Sequence, residues 1–81
     1  MEKKEFLKFL EDSVLSGSHY SGSIETIEYI KDKLDKNEYQ GYLTGNIIKY
    51  ISRCNKKGEK LKDLRKALTY LVWLIQDQDV N

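Results

Sequence analysis

Leu61, Leu64, Leu68, Leu71 and Ile75 stand three and four residues apart, the interval that brings side chains to one face of an α-helix. The same interval recurs at Phe6, Leu7, Leu10 and Val14, and again at Ile24, Ile27, Ile30 and Leu34. The chain has no proline, the residue that breaks helices, and strict two-residue alternation is not sustained anywhere. The pattern predicts an all-α fold, a small bundle of about four helices.

With 81 residues the chain makes one domain, and a domain this small buries a modest share of its surface. Self-association offsets that shortage, and Val72 and Trp73 widen the apolar surface of the last helix, so a homo-oligomer is expected, with sites free to lie at subunit borders. The 14 basic and 13 acidic side chains leave a formal net charge of +1. No global field therefore draws the protein to nucleic acid or an anionic membrane, and any preference for anions must be local. Cys54 is the only cysteine and cannot form an internal disulfide. No apolar run approaches the roughly 20 residues that span a bilayer, and Met1 to Phe9 mixes Lys and Glu with Phe and Leu, unlike a secretion signal. These features point to the reduced cytoplasm.

An N-terminal helix is expected over residues 1–15, with Phe6, Leu7, Leu10 and Val14 as its packing side. Glycine and small hydroxyl residues over 16–23 break the period and frame His19 and Tyr20. Ser23 is the expected cap of a second helix ending near Leu34, and Asn37 that of a third running through Cys54, with Glu38 and Gln40 near its positive end. Gly41 and Gly45 inside that helix each cost about 1 kcal/mol relative to Ala, the mark of a close approach by another backbone or a ligand. Asn55-Lys56-Lys57-Gly58 closes it, a fourth helix follows over about Leu61 to Gln76, and residues 77–81 are expected to fray.

At roughly 100° per residue, Tyr42, Asn46, Lys49, Arg53 and Lys56 of the third helix share an arc of about 80°. Leu43, Ile47, Tyr50, Ile51 and Cys54 fill the adjoining arc, read as the core side. Cationic heads at the border of a buried face can converge while their stems pack on apolar neighbours, and Arg53 can hold two phosphate oxygens at once. The plain polar face of a small soluble helix accounts for the same stripe without a ligand. His19 and Tyr20 could supply a proton, a hydrogen bond and a stacking surface, or be ordinary loop residues.

Taken together, His19-Tyr20, Ile27-Glu28, Gly41-Tyr42, Gly45-Asn46-Ile47-Ile48-Lys49-Tyr50, Arg53, Lys56-Lys57-Gly58 and Asp63-Leu64-x-Lys66-Ala67-x-x-Tyr70-Leu71 resemble the SaV-like group of small phage proteins of unknown function. The resemblance covers most of the chain, a family core over 18–76. The same pattern is similar to the C-terminal part of a phage nucleotide kinase that works without a Gly-rich phosphate loop, and no Gly-x-x-x-x-Gly-Lys-[Ser/Thr] occurs in this chain either. The resemblance implies a nucleotide site to which His19, Tyr20, Asn46, Lys49, Arg53, Lys56 and Lys57 contribute; Tyr42 joins them here as a stacking ring, and Lys66 and Tyr70 of the fourth helix could complete the wall, a surface ion pair and a core aromatic being the plainer readings of those two. Within that set Tyr20 or Tyr42 would stack on the base, Asn46 read its edge, and Lys49 and Arg53 hold phosphate.

The favoured expectation is a nucleotide-binding protein of the infected bacterial cytoplasm that sequesters a nucleotide, a host immune signal being one such ligand, without any cofactor. Three readings compete with it. A nucleoside monophosphate kinase would use Lys49 and Arg53 on the migrating phosphoryl group and His19 for a proton, with Mg²⁺ on Asp63 or Glu28. A row of carboxylates at Glu25, Glu28, Asp32 and Asp35 faintly resembles all-α nucleotide pyrophosphatases, but the second Glu-x-x-Asp of those enzymes is absent. An interaction protein would disable a host enzyme through exposed Tyr39, Tyr42 and Trp73.

Overall fold

The computed structural model describes residues 2–10, 12, 21–56 and 58–78, and among them the chain forms four helices and no strand. Helix α1 spans Lys3–Leu10, α2 Ser21–Lys33, α3 Lys36–Arg53 and α4 Lys60–Gln76. The all-α expectation holds; α4 and the C-terminal end of α3 fall within a residue of their expected places, whereas α3 starts two residues early. His19, Tyr20 and Lys57 lie outside the described residues, as do residues 13–15 of the expected N-terminal helix.

Helix α2 begins two residues ahead of Ser23, taking Ser21 and Gly22 into its first turn. The cap of α3 is Asp35 rather than Asn37. Asp35 Oδ1 accepts from the Glu38 backbone N–H at 2.8 Å, and Glu38 Oε1 accepts from the Asp35 N–H at 2.9 Å. This reciprocal pair satisfies two backbone donors that a helix start leaves open. Asn37 lacks such an acidic partner three residues on; Gln40 in that position instead reaches Asp77 across the bundle. At the other end α3 stops at Arg53, and Gly58 takes a φ of 73° in the link to α4. A left-handed backbone there suits glycine, which has no Cβ to clash.

Helices α3 and α4 run antiparallel and form the densest packing of the molecule. Arg53 meets Asp63 near one end of the pair. Near the other, Gln40 Nε2 donates to Asp77 Oδ2 at 3.0 Å, and Lys31 Nζ of α2 stands 3.4 Å from Asp77 Oδ1. Asp77, placed by the sequence in a fraying tail, thus ties three helices together.

The core cluster is Ile27, Tyr39, Leu43 and Trp73, with Ile30, Leu34, Tyr42, Tyr70 and Leu74 packed against it. Helix α4 contributes Ala67, Val72 and Trp73 to the interior, while Leu61, Leu64, Leu68 and Leu71 are exposed. The regular leucine row that announced the helix is therefore not its inward face within the protomer. The inward face is a mixed set instead: Asp63, Ala67, Thr69, Val72 and Trp73 are buried, and Tyr70 and Leu74 pack against the core cluster. Ile51 of α3 is likewise exposed, as are Phe6 and Phe9 of α1. Gly41 and Gly45 meet nothing within 4 Å of where a Cβ would stand, so no close backbone approach within this chain explains them.

Candidate functional site

Tyr50 sits at the centre of a cationic cluster. Lys49 Nζ lies 4.9 Å from its ring centroid, Lys66 Nζ 5.3 Å and the Arg53 guanidinium carbon 5.6 Å. Lys49 and Arg53 reach the ring from α3 on either side of Tyr50, and Lys66 reaches it from the facing helix. The electron-rich ring face draws the cations together. Among the described residues neither Lys49 nor Lys66 has a carboxylate within ion-pair distance. Only Arg53 has one: its Nε is 3.4 Å from Oδ2 of the wholly buried Asp63. Three positive heads against one acid leave a local surplus on a chain that is close to neutral overall.

Behind Tyr50 the rings continue inward. Tyr50 and Tyr70 are stacked, with centroids 5.9 Å apart and planes at 17°. Tyr70 meets Tyr42 and Trp73 edge-on, at 6.1 and 5.3 Å. Burial raises the Tyr70 phenol well above its ordinary value, helped by a side-chain hydrogen bond with Tyr42 and by the charges Tyr42 and Tyr50 would carry if ionised. The Tyr70 hydroxyl therefore stays neutral, and its ring acts as a flat, polar-edged wall.

These rings line a cleft of about 930 Å³. Ile27 and Ile30 of α2 form one wall, Tyr42 and Tyr50 of α3 another, and Tyr70 and Trp73 of α4 the third. Gly58 to Lys62, together with Arg65 and Lys66, make a rim that is mostly basic. An apolar, aromatic interior with a few charges at the edge is the usual form of a small-molecule site.

Of the residues expected at the site, Tyr42, Lys66 and Tyr70 line this cleft, and Lys49 and Arg53 flank it through Tyr50. Asn46 spends an amide hydrogen on the Tyr42 carbonyl of its own helix, at 2.9 Å. Lys56 is exposed in the turn after α3 rather than on the helical arc, because the helix ends three residues earlier. Two expectations are corrected: Tyr39 and Trp73, read as exposed contact residues, are buried, since each packs its ring into the core cluster. Tyr50, placed on the core side by its phase, is the ring on which the cations converge. Its neighbours Lys49 and Arg53 carried part of that signal, but periodicity alone sorts an aromatic residue into the core, and Lys66 comes from another helix. Among the described residues no three His, Cys, Asp or Glu side chains gather as a metal cluster. Asp63 faces Arg53, and Glu28 is exposed on α2. No described helix is long and apolar enough to cross a membrane.

A family model described as a protein of unknown function, DUF3310, matches residues 14–72. The chain belongs to the DUF3310 family. The matched stretch holds every expected site residue, from His19 to Tyr70. Two phage proteins are similar to this DUF3310 chain. The gene 1.7 protein of Enterobacteria phage T3 is 36% identical over 66 residues, which cover 75% of the chain and 40% of the relative. The nucleotide kinase gp1.7 of Escherichia phage T7 is 41% identical over 64 residues, covering 73% of the chain and 33% of the relative. The DUF3310 chain thus spans well under half the length of either relative. No solved structure matches it.

Proposed function

We propose that this protein binds a phosphorylated nucleotide in the cleft between α2, α3 and α4. The base lies against the ring wall of Tyr42, Tyr50 and Tyr70, and the phosphate is held at the mouth by Lys49, Lys66 and Arg53. The observation that carries the reading is the convergence of three cations on Tyr50 at the edge of an aromatic cleft. Stacking favours a planar base of any identity, and ammonium groups without a carboxylate among the described residues favour the phosphate. The printed name of the phage T7 relative, a nucleotide kinase, supports a nucleotide as the ligand class.

The function inferred from this arrangement is capture: the ligand is held intact, in the infected cell, and withheld from other proteins. A host immune nucleotide is one ligand of this chemistry. Phosphoryl transfer is the second reading, favoured by the name of the same relative; there Lys49, Lys66 and Arg53 would neutralise the migrating group. Native mass spectrometry of the protein after incubation with pooled mono-, di-, tri- and cyclic nucleotides tests both. Intact nucleotide released from the wild type and lost from Lys49→Gln/Lys66→Gln supports capture. Nucleoside diphosphate formed from ATP and a monophosphate supports transfer. Failure to retain or convert any nucleotide overturns the proposal.

A further inference from the structure

The α3–α4 pair has two long faces, and only one of them carries the cleft. On the other side helical phase gathers Leu64, Leu68 and Leu71 of α4 with Ile48 and Ile51 of α3, all between 36 and 63% exposed. Helix α1 packs on α4 and still leaves this face open. The leucines keep the three-and-four spacing along α4, the spacing that seats knobs into the holes of a facing helix.

The face is also free of charge along its centre. Between Leu64 and Leu71 the charged residues are Arg65 and Lys66, and both line the cleft on the opposite side. Between Ile48 and Ile51 the one charge is Lys49, which is drawn to Tyr50. An uncharged surface of this kind matches the centre of a protein interface, from which charged groups are depleted. It offers nothing to an acidic or basic partner and is complementary to a surface like itself.

Two antiparallel helices with one apolar face are half of a four-helix bundle. Helix α4 has 17 residues, which gives a face about 25 Å long, and two helices side by side make it about 20 Å wide. That flat footprint of roughly 500 Å², enlarged by the relief of the side chains, approaches the ~800 Å² per partner of a standard interface. We propose that this face is a two-fold seam between copies of this chain, with Leu64, Leu68, Leu71, Ile48 and Ile51 at its centre. A two-fold axis satisfies every such residue with its own kind and closes the assembly.

Sedimentation equilibrium of the full chain over a concentration series reads the assembly directly. The expected result is twice the protomer mass of 9.5 kDa, falling to one protomer in Leu64→Glu/Leu71→Glu with helical circular dichroism retained. A larger even-numbered assembly that these substitutions split counts in the same sense. A wild-type chain that stays at protomer mass throughout overturns the proposal, and so does an oligomer whose mass the pair leaves unchanged. Should the double variant lose its helical signal, Ile48→Glu makes the same test from α3, at a position 63% exposed. The measurement uses no nucleotide, so this proposal and the ligand reading stand or fall separately.

Discussion

Arg53 reaches across the α3–α4 pair to place its Nε 3.4 Å from Oδ2 of Asp63, a carboxylate with no exposed surface. Among the described residues neither Asp63 oxygen nor the Arg53 Nε has a hydrogen-bond partner, so opposite charge holds the contact. A buried acid without its cation is costly, because desolvation is then uncompensated. Arg53→Gln is expected to destabilise the fold by about 3 kcal/mol, the low end for a broken buried pair, because Arg53 remains 35% exposed. Urea titration measures it, and a loss under about 1 kcal/mol, the level of a surface pair, would sink the reading.

The same contact governs which substitutions can probe the proposed ligand site. Arg53→Glu would set two carboxylates against each other and confuse unfolding with lost binding. Lys49→Gln and Lys66→Gln avoid this, since neither lysine holds a structural acid among the described residues. Each substitution is expected to weaken nucleotide binding by about tenfold, as loss of one charge-assisted contact does, with stability changed by no more than about 0.5 kcal/mol. Calorimetric titration at two salt concentrations checks it, and the wild-type affinity should fall as salt rises.

Gly41 and Gly45 lie exposed in the interior of α3 with open space at the Cβ position. Alanine at either position is expected to stabilise the protein by about 0.5–1 kcal/mol through helix propensity. Thermal unfolding reads this. A stabilised Gly45→Ala protein that binds nucleotide less well would show that something outside the protomer uses the gap.

Alkaline pH acts through the tyrosines. Burial raises both Tyr70 and Tyr39 above the ordinary phenol value, with further contributions from Tyr42 and Tyr50 at Tyr70 and from Asp77 and Tyr42 at Tyr39. Below pH about 10 these groups are protonated whether the chain is folded or not, and their contribution is fully present. Above it the unfolded chain loses the protons first, so stability falls as pH climbs. Tyr70→Phe is expected to flatten that decline in a series of denaturation midpoints; an unchanged slope would contradict it.

Helix number and most helix ends were legible because periodicity and capping are local. Which side of α4 faced inward was not. Leu61, Leu64, Leu68 and Leu71 and the set Ala67, Val72 and Trp73 are both apolar, and only the packing of α2 and α3 decides between them. The same limit hid Tyr50, whose phase fits the core and whose surroundings depend on Lys66 of another helix. Lys49 and Arg53 were readable as a cationic edge, but the acid opposite Arg53 lies ten residues further along the chain and across a turn. Asp35 was missed as a cap although Asp35-x-x-Glu38 spells a capping box, because Asn37 also fits the first position of such a start.

Trp73, the single tryptophan, lines the cleft and touches Tyr70 edge-on, with Tyr50 one ring further out. Light absorbed by the outer rings can pass along that series to the indole, whose emission is sensitive to what occupies the space beside it. The protein therefore carries its own optical gauge of occupancy, running from the charged mouth to the core without any added label.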